Sequence, residues 1–398
     1  MFDFSPSPEQ EQVLAKVARL MDELVYPNEK HARPHRGLPP EILKPLQQRV
    51  REEGLWTPHM PGEAGGLGMG FVTLGLISEY LGRSPIASRI FNTAAPDTGN
   101  MELLWMAGTR EQHEAYLKPL MEAEVRSFVA MTEPEVSGAD PTTILTRALQ
   151  DGDDFIINGH KWFATGAWGA SFGIVFAVTD PEAPPHKRAS AFLVDADTPG
   201  FELVREVPVM GDHSEGGHCE LRFTNMRVPG SSMLGARGDG FKLAQMRLGP
   251  GRITHAMRWL GCSARALEMM VAYARRRETR GQKLAEFQTV QNWIADSVAE
   301  RQAARLLTLH AAWKMDRGED ARTEISLIKF FGAKVLHDVL DRAIQVHGAL
   351  GFSDDTPLAG WYREARAARI YDGPDEVHRM VVARRTLKEL ELKEGVLR

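Results

Sequence analysis

The feature that most restricts the fold of this chain is a double change of hydrophobic period. Up to about residue 125, apolar residues recur every three or four positions; Val13, Val17, Leu20 and Leu24 lie on one helical face. Ahead of them, Ser7-Pro8-Glu9-Gln10 offers an N-cap serine, a proline at the first helical position and a glutamine to close a capping box. Pro27 is expected to end that helix. From about 126 to 236 the pattern shortens to β-rich runs at 154–157, 161–165, 172–178, 191–194, 201–204 and 220–223. Asp151-Gly152 and Asn158-Gly159 read as hairpin turns between them, because these residues tolerate positive φ. From about 237 the helical period returns in long segments: Val290, Trp293, Ile294 and Val298 share one face, and Ile325, Ile328, Val335 and Leu336 another. Helices, then strands, then helices predict a mainly α protein with a central β domain: an N-terminal helical domain over 1–125, a middle β barrel or sandwich over 126–236, and a C-terminal helical bundle over 237–398. At about 150 residues per domain, 398 residues accommodate that division.

Charge and cysteine content narrow the function. Lys and Arg total 48 against 53 Asp and Glu, a net charge of -5, so no strong positive field exists to hold nucleic acid or an anionic membrane. Two cysteines, Cys219 and Cys262, exclude a disulfide framework and a Cys-rich zinc site, and fit a reducing, cytoplasmic compartment. No apolar run reaches the roughly 18 residues of a spanning helix, and Met-Phe-Asp-Phe-Ser-Pro at the start lacks the pattern of a signal peptide. No metal site is expected. His31 and His35 have i,i+4 spacing but Pro34 between them; His213, His218 and Cys219 share a Gly-rich loop with no further cysteine nearby. Gly66, Gly68 and Gly70 lack the preceding strand of a dinucleotide loop and read as a turn.

Four segments carry chemistry. Residues 130–140, Ala-Met-Thr-Glu-Pro-Glu-Val-Ser-Gly-Ala-Asp, crowd hydroxyls and backbone amides at the entry to the β zone. That loop can donate to a polar ring or to phosphate, or be a plain Pro turn. In 160–165, His-Lys-Trp-Phe-Ala-Thr, strand alternation puts Trp162, Ala164 and Gly166 on one face and Phe163 and Thr165 on the other, an aromatic beside a hydroxyl or simply sheet core. Arg275-Arg276-Arg277 closes a long helix, where cations suit the dipole and can also clamp phosphate. In Tyr371-Asp372-Gly373-Pro374-Asp375-Glu376-Val377-His378, carboxylates crowd a Gly-Pro break ahead of a final helix, with Asp375 a possible N-cap.

These segments, in this order, resemble the acyl-CoA dehydrogenase family across essentially the whole chain. Further matches are Gly108-Thr109-Arg110-Glu111-Gln112, Tyr116-Leu117-Lys118-Pro119-Leu120, and Gln345-Val346-His347-Gly348-Ala349-Leu350-Gly351-Phe352. Asp-Gly-Pro-Asp-Glu-Val-His, with Leu-Gly-Pro-Gly-Arg at 248–252, is most similar to the subgroup of family members ten and eleven, without the kinase-like domain that precedes this region there.

The resemblance implies FAD as cofactor and a homotetramer or homodimer. Carried over by position, Met131 and Thr132 contact the flavin ring, Phe163 packs on it and Thr165 bonds its N5 edge. Arg277, Gln288, Gln345 and Gly348 hold the pyrophosphate and adenosine part across a subunit boundary, and Pro374 and Glu376 also approach the FAD. The implied reaction is α,β-dehydrogenation of an acyl-CoA thioester in fatty acid β-oxidation, with electron-transferring flavoprotein as acceptor. Asp372 stands where most of the family has Glu and is the expected base; the alternative family position falls near Gly251, which has no carboxylate. Arg252 is expected to line the substrate pocket, to order the loop around the base, or to brace the core. Ala139 replaces the usual Ser of the first signature and Phe163 the commoner Trp. Alternatives are a flavoprotein oxidase on the same fold, of nitroalkane oxidase or acyl-CoA oxidase type, and a member repurposed for DNA binding, against which stand the net charge and the lack of a basic C-terminal extension.

Overall fold

The computed structural model describes residues 6–33, 37–210 and 215–394; His35 and His213 lie outside the described residues. The helices in chain order are α1 (Pro8–Leu20), α2 (Pro40–Glu52), α3 (Gly70–Leu81), α4 (Ala87–Ile90), α5 (Asp97–Ala107), α6 (Arg110–Gln112) and α7 (Lys118–Met121) before the sheet. After it come α8 (Gly240–Arg276), α9 (Gln288–Asp316), α10 (Arg322–His347), α11 (Ala349–Phe352), α12 (Leu358–Ala367) and α13 (Asp375–Glu394). The strands are β1 (Ser127–Ala130), β2 (Arg147–Asp151), β3 (Asp154–Thr165), β4 (Phe172–Val178), β5 (Ala189–Asp195), β6 (Phe201–Glu206), β7 (His218–Pro229) and β8 (Met233–Leu234). The chain divides into two compact units: Met1–Pro27 with Met69–Ala87 and Pro250–Arg398, and Asn28–Gly68 with Ser88–Gly249. No helix among the described residues is long and apolar enough to cross a membrane.

In the first unit, the capping box at Ser7 and Gln10 forms as the sequence predicts. Pro27 does not end the helical path. A π turn over Met21–Val25 and a 3-10 turn over Tyr26–His31 carry it on. The wider π turn moves the buried positions by one residue, so Met21 and Val25 are buried where a regular helix would bury Leu24. The core is built by α8, α9, α10 and α12 around Ile253, Met257, Leu260, Ile328, Leu336 and Trp361. Ile325, Ile328, Val335 and Leu336 are buried, as their spacing predicts, but Val298 is 51% exposed. The inner face of α9 runs instead through Val290, Ser297, Ala304 and Ala311, small residues that let α9 approach its neighbours closely.

Two contacts lock α3 to this core. A Cβ on Gly82 would meet the Arg258 carbonyl oxygen at 2.2 Å, and one on Gly261 the Glu79 carbonyl oxygen at 2.0 Å, so the two backbones pass at a distance only glycine permits. The Asp316 carboxylate, at the end of α9, accepts from the Phe71 and Val72 amides at 2.5 and 3.0 Å. It therefore caps α3, whose own N-cap residue Met69 offers no side-chain acceptor. Asp316→Ala is expected to cost about 1 kcal/mol of stability, read by urea unfolding; an unchanged midpoint would mean that solvent satisfies those amides as well.

In the second unit, eight strands form one mixed sheet in the order β6-β7-β3-β2-β4-β5-β8, with β1 added parallel to β4. Asp151-Gly152 turns the β2–β3 hairpin, with Gly152 at φ +63°. Asn158-Gly159 does not make a turn. It lies inside the twelve-residue β3, whose antiparallel pairing with β7 runs from Asp154↔Pro229 to Thr165↔His218 and is irregular at this dipeptide. The Asn158 side chain is spent on Asn225 across the sheet, and Gly159 leaves room for Thr146. Long-range pairing overrides the local turn preference here. One apolar layer gathers Phe128, Phe155, Phe192, Leu221 and Phe223; another packs Met101, Leu104, Leu117 and Leu120 on Ile174, Phe176 and Leu193.

Candidate active site

The second unit presents the end of β1 and the end of β3 side by side. Between Lys161 and Ala164 the β3–β7 register breaks, and Phe163 adopts φ +50°, a left-handed conformation costly for an aromatic residue. This bulge corrects the simple alternation expected of 160–166: Lys161 and Ala164 point inward, three apart, while Phe163 is 40% exposed. Thr165 Oγ1 lies 2.9 Å from His218 Nδ1, and His218 stands 6.0 Å from the Phe163 ring centre. The bulge thus offers an open aromatic ring flanked by a hydroxyl and an imidazole.

A buried ion pair holds the loop that follows β1 against this bulge. Lys161 Nζ donates to the Met131 carbonyl and to Glu133 Oε1, both at 2.8 Å, with both side chains essentially inaccessible. Glu133 also accepts from the Leu145 and Thr146 amides at 2.5 and 2.9 Å, and the Trp162 amide donates to the Thr132 carbonyl at 3.1 Å. Burial pushes the Lys161 ammonium down to about 8, against the pull of Glu133. Further along, His160 sits between two carboxylates, Nδ1 at 2.6 Å from Glu135 and Nε2 at 2.9 Å from Glu220. Neutral imidazole has a single N–H, so two acceptors select the imidazolium. Burial draws its pKa down, but the two carboxylates prevail and raise it. Asp140 caps the short turn at Pro141–Thr143. The family resemblance groups Met131, Thr132, Phe163 and Thr165, but it assigns no role to Lys161, Glu133 or His218; a Lys in mid-strand within an otherwise apolar segment is the sequence signal for the first of these.

The first unit carries the Asp372 turn. After α12 the chain reaches Asp372 at φ +54° and Gly373 at φ +97°, and α13 starts at Asp375. Aspartate is among the few residues that adopt this left-handed geometry readily. Asp375 is not a cap: it lies within the first turn of α13, buried, with its carboxylate paired to Arg369 at 2.9 Å and Arg379 at 3.5 Å. The Asp372 carbonyl accepts from Arg252 Nε and Nη2 at 3.1 and 2.8 Å and lies 3.1 Å from His378 Nε2. Lys329, buried, donates to the Ala368 and Gly373 carbonyls at 2.7 and 3.1 Å and lies 5.5 Å from the Trp259 and Tyr371 ring centres. Arg252 therefore orders the turn through its backbone. The Asp372 carboxylate itself meets His255 Nε2 at 3.1 Å. Burial, with Arg252 nearby, pulls His378 down to about 4, and burial pulls Lys329 down to about 8.

Arg277, Gln288, Gln345 and Gly348 are exposed; Arg277 follows α8, Gln288 opens α9, and Gln345 and Gly348 lie at the end of α10. Tyr273 stacks on His347 at 4.4 Å, joining the end of α8 to that of α10. The Leu284 amide donates to the Arg277 carbonyl at 2.9 Å, just ahead of Gln288 at the start of α9. Gly348 has φ +63° and open space where a Cβ would stand. Pro374 is half-buried and Glu376 exposed beside the Asp372 turn. An exposed aromatic with hydroxyls at the bulge, and an arginine and two glutamines at the ends of α8, α9 and α10, are each donor sets of the kind that FAD requires, so the residues fit that cofactor.

Comparison with known proteins places the chain in a family. Residues 7–124, 129–226 and 238–387 match the N-terminal, middle and C-terminal domains of acyl-CoA dehydrogenase. The chain is 46% identical over 353 residues to "Probable acyl-CoA dehydrogenase FadE2" of Mycobacterium tuberculosis, covering 87% of this chain and 86% of that protein. It is 39% identical over 402 residues to acyl-CoA dehydrogenase family member 11 of Rattus norvegicus, covering 97% of this chain and 51% of that protein, so it spans about half the length of that relative. Butyryl-CoA dehydrogenase of Megasphaera elsdenii superposes with a TM-score of 0.85 at 29% identity, over 97% of this chain and 100% of that one. Three domain matches in order, with relatives along nearly the whole length, lead to one conclusion: the chain belongs to the acyl-CoA dehydrogenase family of FAD-dependent oxidoreductases.

Proposed function

We propose that the protein oxidises an acyl-CoA thioester to its trans-2-enoyl-CoA, with Asp372 removing the α-proton. The observation that carries this is the Asp372 turn, a carboxylate on a left-handed residue whose carbonyl is held by Arg252 and His378 and whose Oδ2 is held by His255. When bound, FAD supplies the two-electron acceptor for the β-hydrogen. Met131, Thr132, Phe163 and Thr165 would hold its ring, and Arg277, Gln288, Gln345 and Gly348 its pyrophosphate and adenosine part, with Pro374 and Glu376 nearby. Asp372 accepts the α-proton at a carboxylate oxygen. Because a thioester α-proton is far less acidic than a carboxylic acid, the site must also stabilise the charge that develops on the thioester oxygen, and the Asp372 amide is the donor this chain contributes. The shorter reach of Asp relative to Glu, about one C–C bond, requires that the turn hold Asp372 close to the substrate.

Electron-transferring flavoprotein is the proposed acceptor and a homotetramer the proposed assembly, with fatty acid β-oxidation in the cytoplasm as the setting. The test is the fate of the reduced protein. Slow reaction with oxygen and rapid reoxidation by electron-transferring flavoprotein are expected; rapid peroxide formation would make it an oxidase. Arg277→Ala is expected to lose most of its FAD on gel filtration while remaining folded by circular dichroism, since a charge-assisted phosphate contact is removed. Unchanged flavin content would refute that role.

A further inference from the structure

His255 was not singled out by its sequence, yet it is the side chain that meets the Asp372 carboxylate. It sits on α8 between Arg252 and Arg258, at steps of three residues, which puts all three on neighbouring positions of one helix face. Each of its ring nitrogens has a partner: Nε2 lies 3.1 Å from Asp372 Oδ2, and Nδ1 lies 2.6 Å from Arg258 Nη2. Guanidinium has donors and no acceptor, so Nδ1 must supply the lone pair and the ring proton must sit on Nε2. The imidazole cannot then act as a base, because its only lone pair is already engaged. Its plane is fixed as well, with the Tyr371 ring centre at 5.3 Å and that of Trp259 at 6.3 Å, while Trp259 Nε1 donates to the Tyr371 hydroxyl at 2.8 Å.

We infer that Arg258 and His255 form a relay that aims the Asp372 carboxylate: Arg258 fixes the tautomer, and His255, as a positioning residue, donates through Nε2 and selects the carboxylate's orientation. The inference rests on Asp372 being the base and goes beyond that reading by naming what holds its reacting group. It also explains how a side chain one methylene shorter than the family's usual Glu keeps a defined reach. The backbone of Asp372 is held by Arg252 and His378, and the two torsions of its side chain are restricted by the contact of Oδ2 with His255. Burial and the Arg258 charge both lower the His255 pKa, so the ring donates as a neutral group and adds no positive charge beside the base.

Two measurements on the FAD-loaded protein test this. In 15N spectra of histidine-labelled protein, the His255 resonances, assigned by their loss in His255→Gln, are expected to show a bare Nδ1 and a protonated Nε2. Anaerobic flavin reduction is then followed with butyryl-, octanoyl- and palmitoyl-CoA, using whichever reacts fastest. His255→Leu is expected to reduce about a hundredfold more slowly at saturation, with KM and flavin content unchanged. His255→Gln, whose amide keeps one donor and one acceptor, is expected to recover most of the rate. A proton on Nδ1, or a wild-type rate in His255→Leu while Asp372→Asn is inactive, would overturn the relay and leave Asp372 as base. A wild-type rate in Asp372→Asn, or no bleaching of the wild-type protein by any of the three thioesters, would overturn the reading beneath it and the relay with it. If His255→Leu fails to fold, the 15N result and the Gln variant still decide.

Discussion

Asp372→Asn is expected to yield protein that carries its full complement of FAD and is reduced by acyl-CoA about a thousandfold more slowly than wild type. Asparagine has nearly the same volume, and its carbonyl can still accept from His255 Nε2 at the position Oδ2 now holds. The backbone contacts from Arg252 and His378 go to the Asp372 carbonyl and do not depend on the side chain. What is lost is the proton acceptor alone, so a drop in the maximal rate with retained flavin and retained substrate binding isolates chemistry from structure. Anaerobic stopped-flow at the flavin absorbance reads the rate. Reduction at the wild-type rate would move the base elsewhere.

The second large effect concerns stability. Lys161→Met is expected to destabilise the protein by about 3 to 5 kcal/mol, because it leaves the Glu133 carboxylate buried and charged without its cationic partner, facing the Leu145 and Thr146 amides. The Met131 carbonyl loses its donor as well, so the loop carrying Met131 and Thr132 should loosen and FAD affinity should fall with stability. The double variant Glu133→Gln/Lys161→Met removes both charges and is expected to recover part of the loss, since a neutral amide can still accept from the two backbone N–H groups. Urea unfolding of the four proteins gives the coupling energy; strict additivity of the single losses would mean that the pair does not act as a unit.

Local signals in the sequence were reliable where the structure is local. The capping box at Ser7, the Asp151-Gly152 hairpin and the buried stripe from Ile325 to Leu336 depend on neighbours a few residues away, and each is present. Asn158-Gly159 misled because β7 pairs along both sides of it, and Val298 misled because α9 buries a face of small residues that hydrophobic periodicity does not register. Phe163 and Thr165 were visible as a pair, but the bulge that exposes Phe163 arises from register with β7. At the candidate site, Asp372 was legible through its motif, whereas its supports were not. His255, Lys329 and His378 come from three different helices and converge on one turn only after folding. Lys161 and Glu133 belonged to two segments already singled out, and their charges cancel only once those segments meet.

On the proposed function, this chain carries out the first, proton- and hydride-removing half of acyl-CoA oxidation. An anaerobic visible spectrum of the purified protein, recorded before and after addition of short-, medium- and long-chain acyl-CoAs, tests it most directly. A flavin spectrum that bleaches with at least one thioester is expected, the response to chain length naming the preferred substrate. Bound flavin that no acyl-CoA reduces would contradict it.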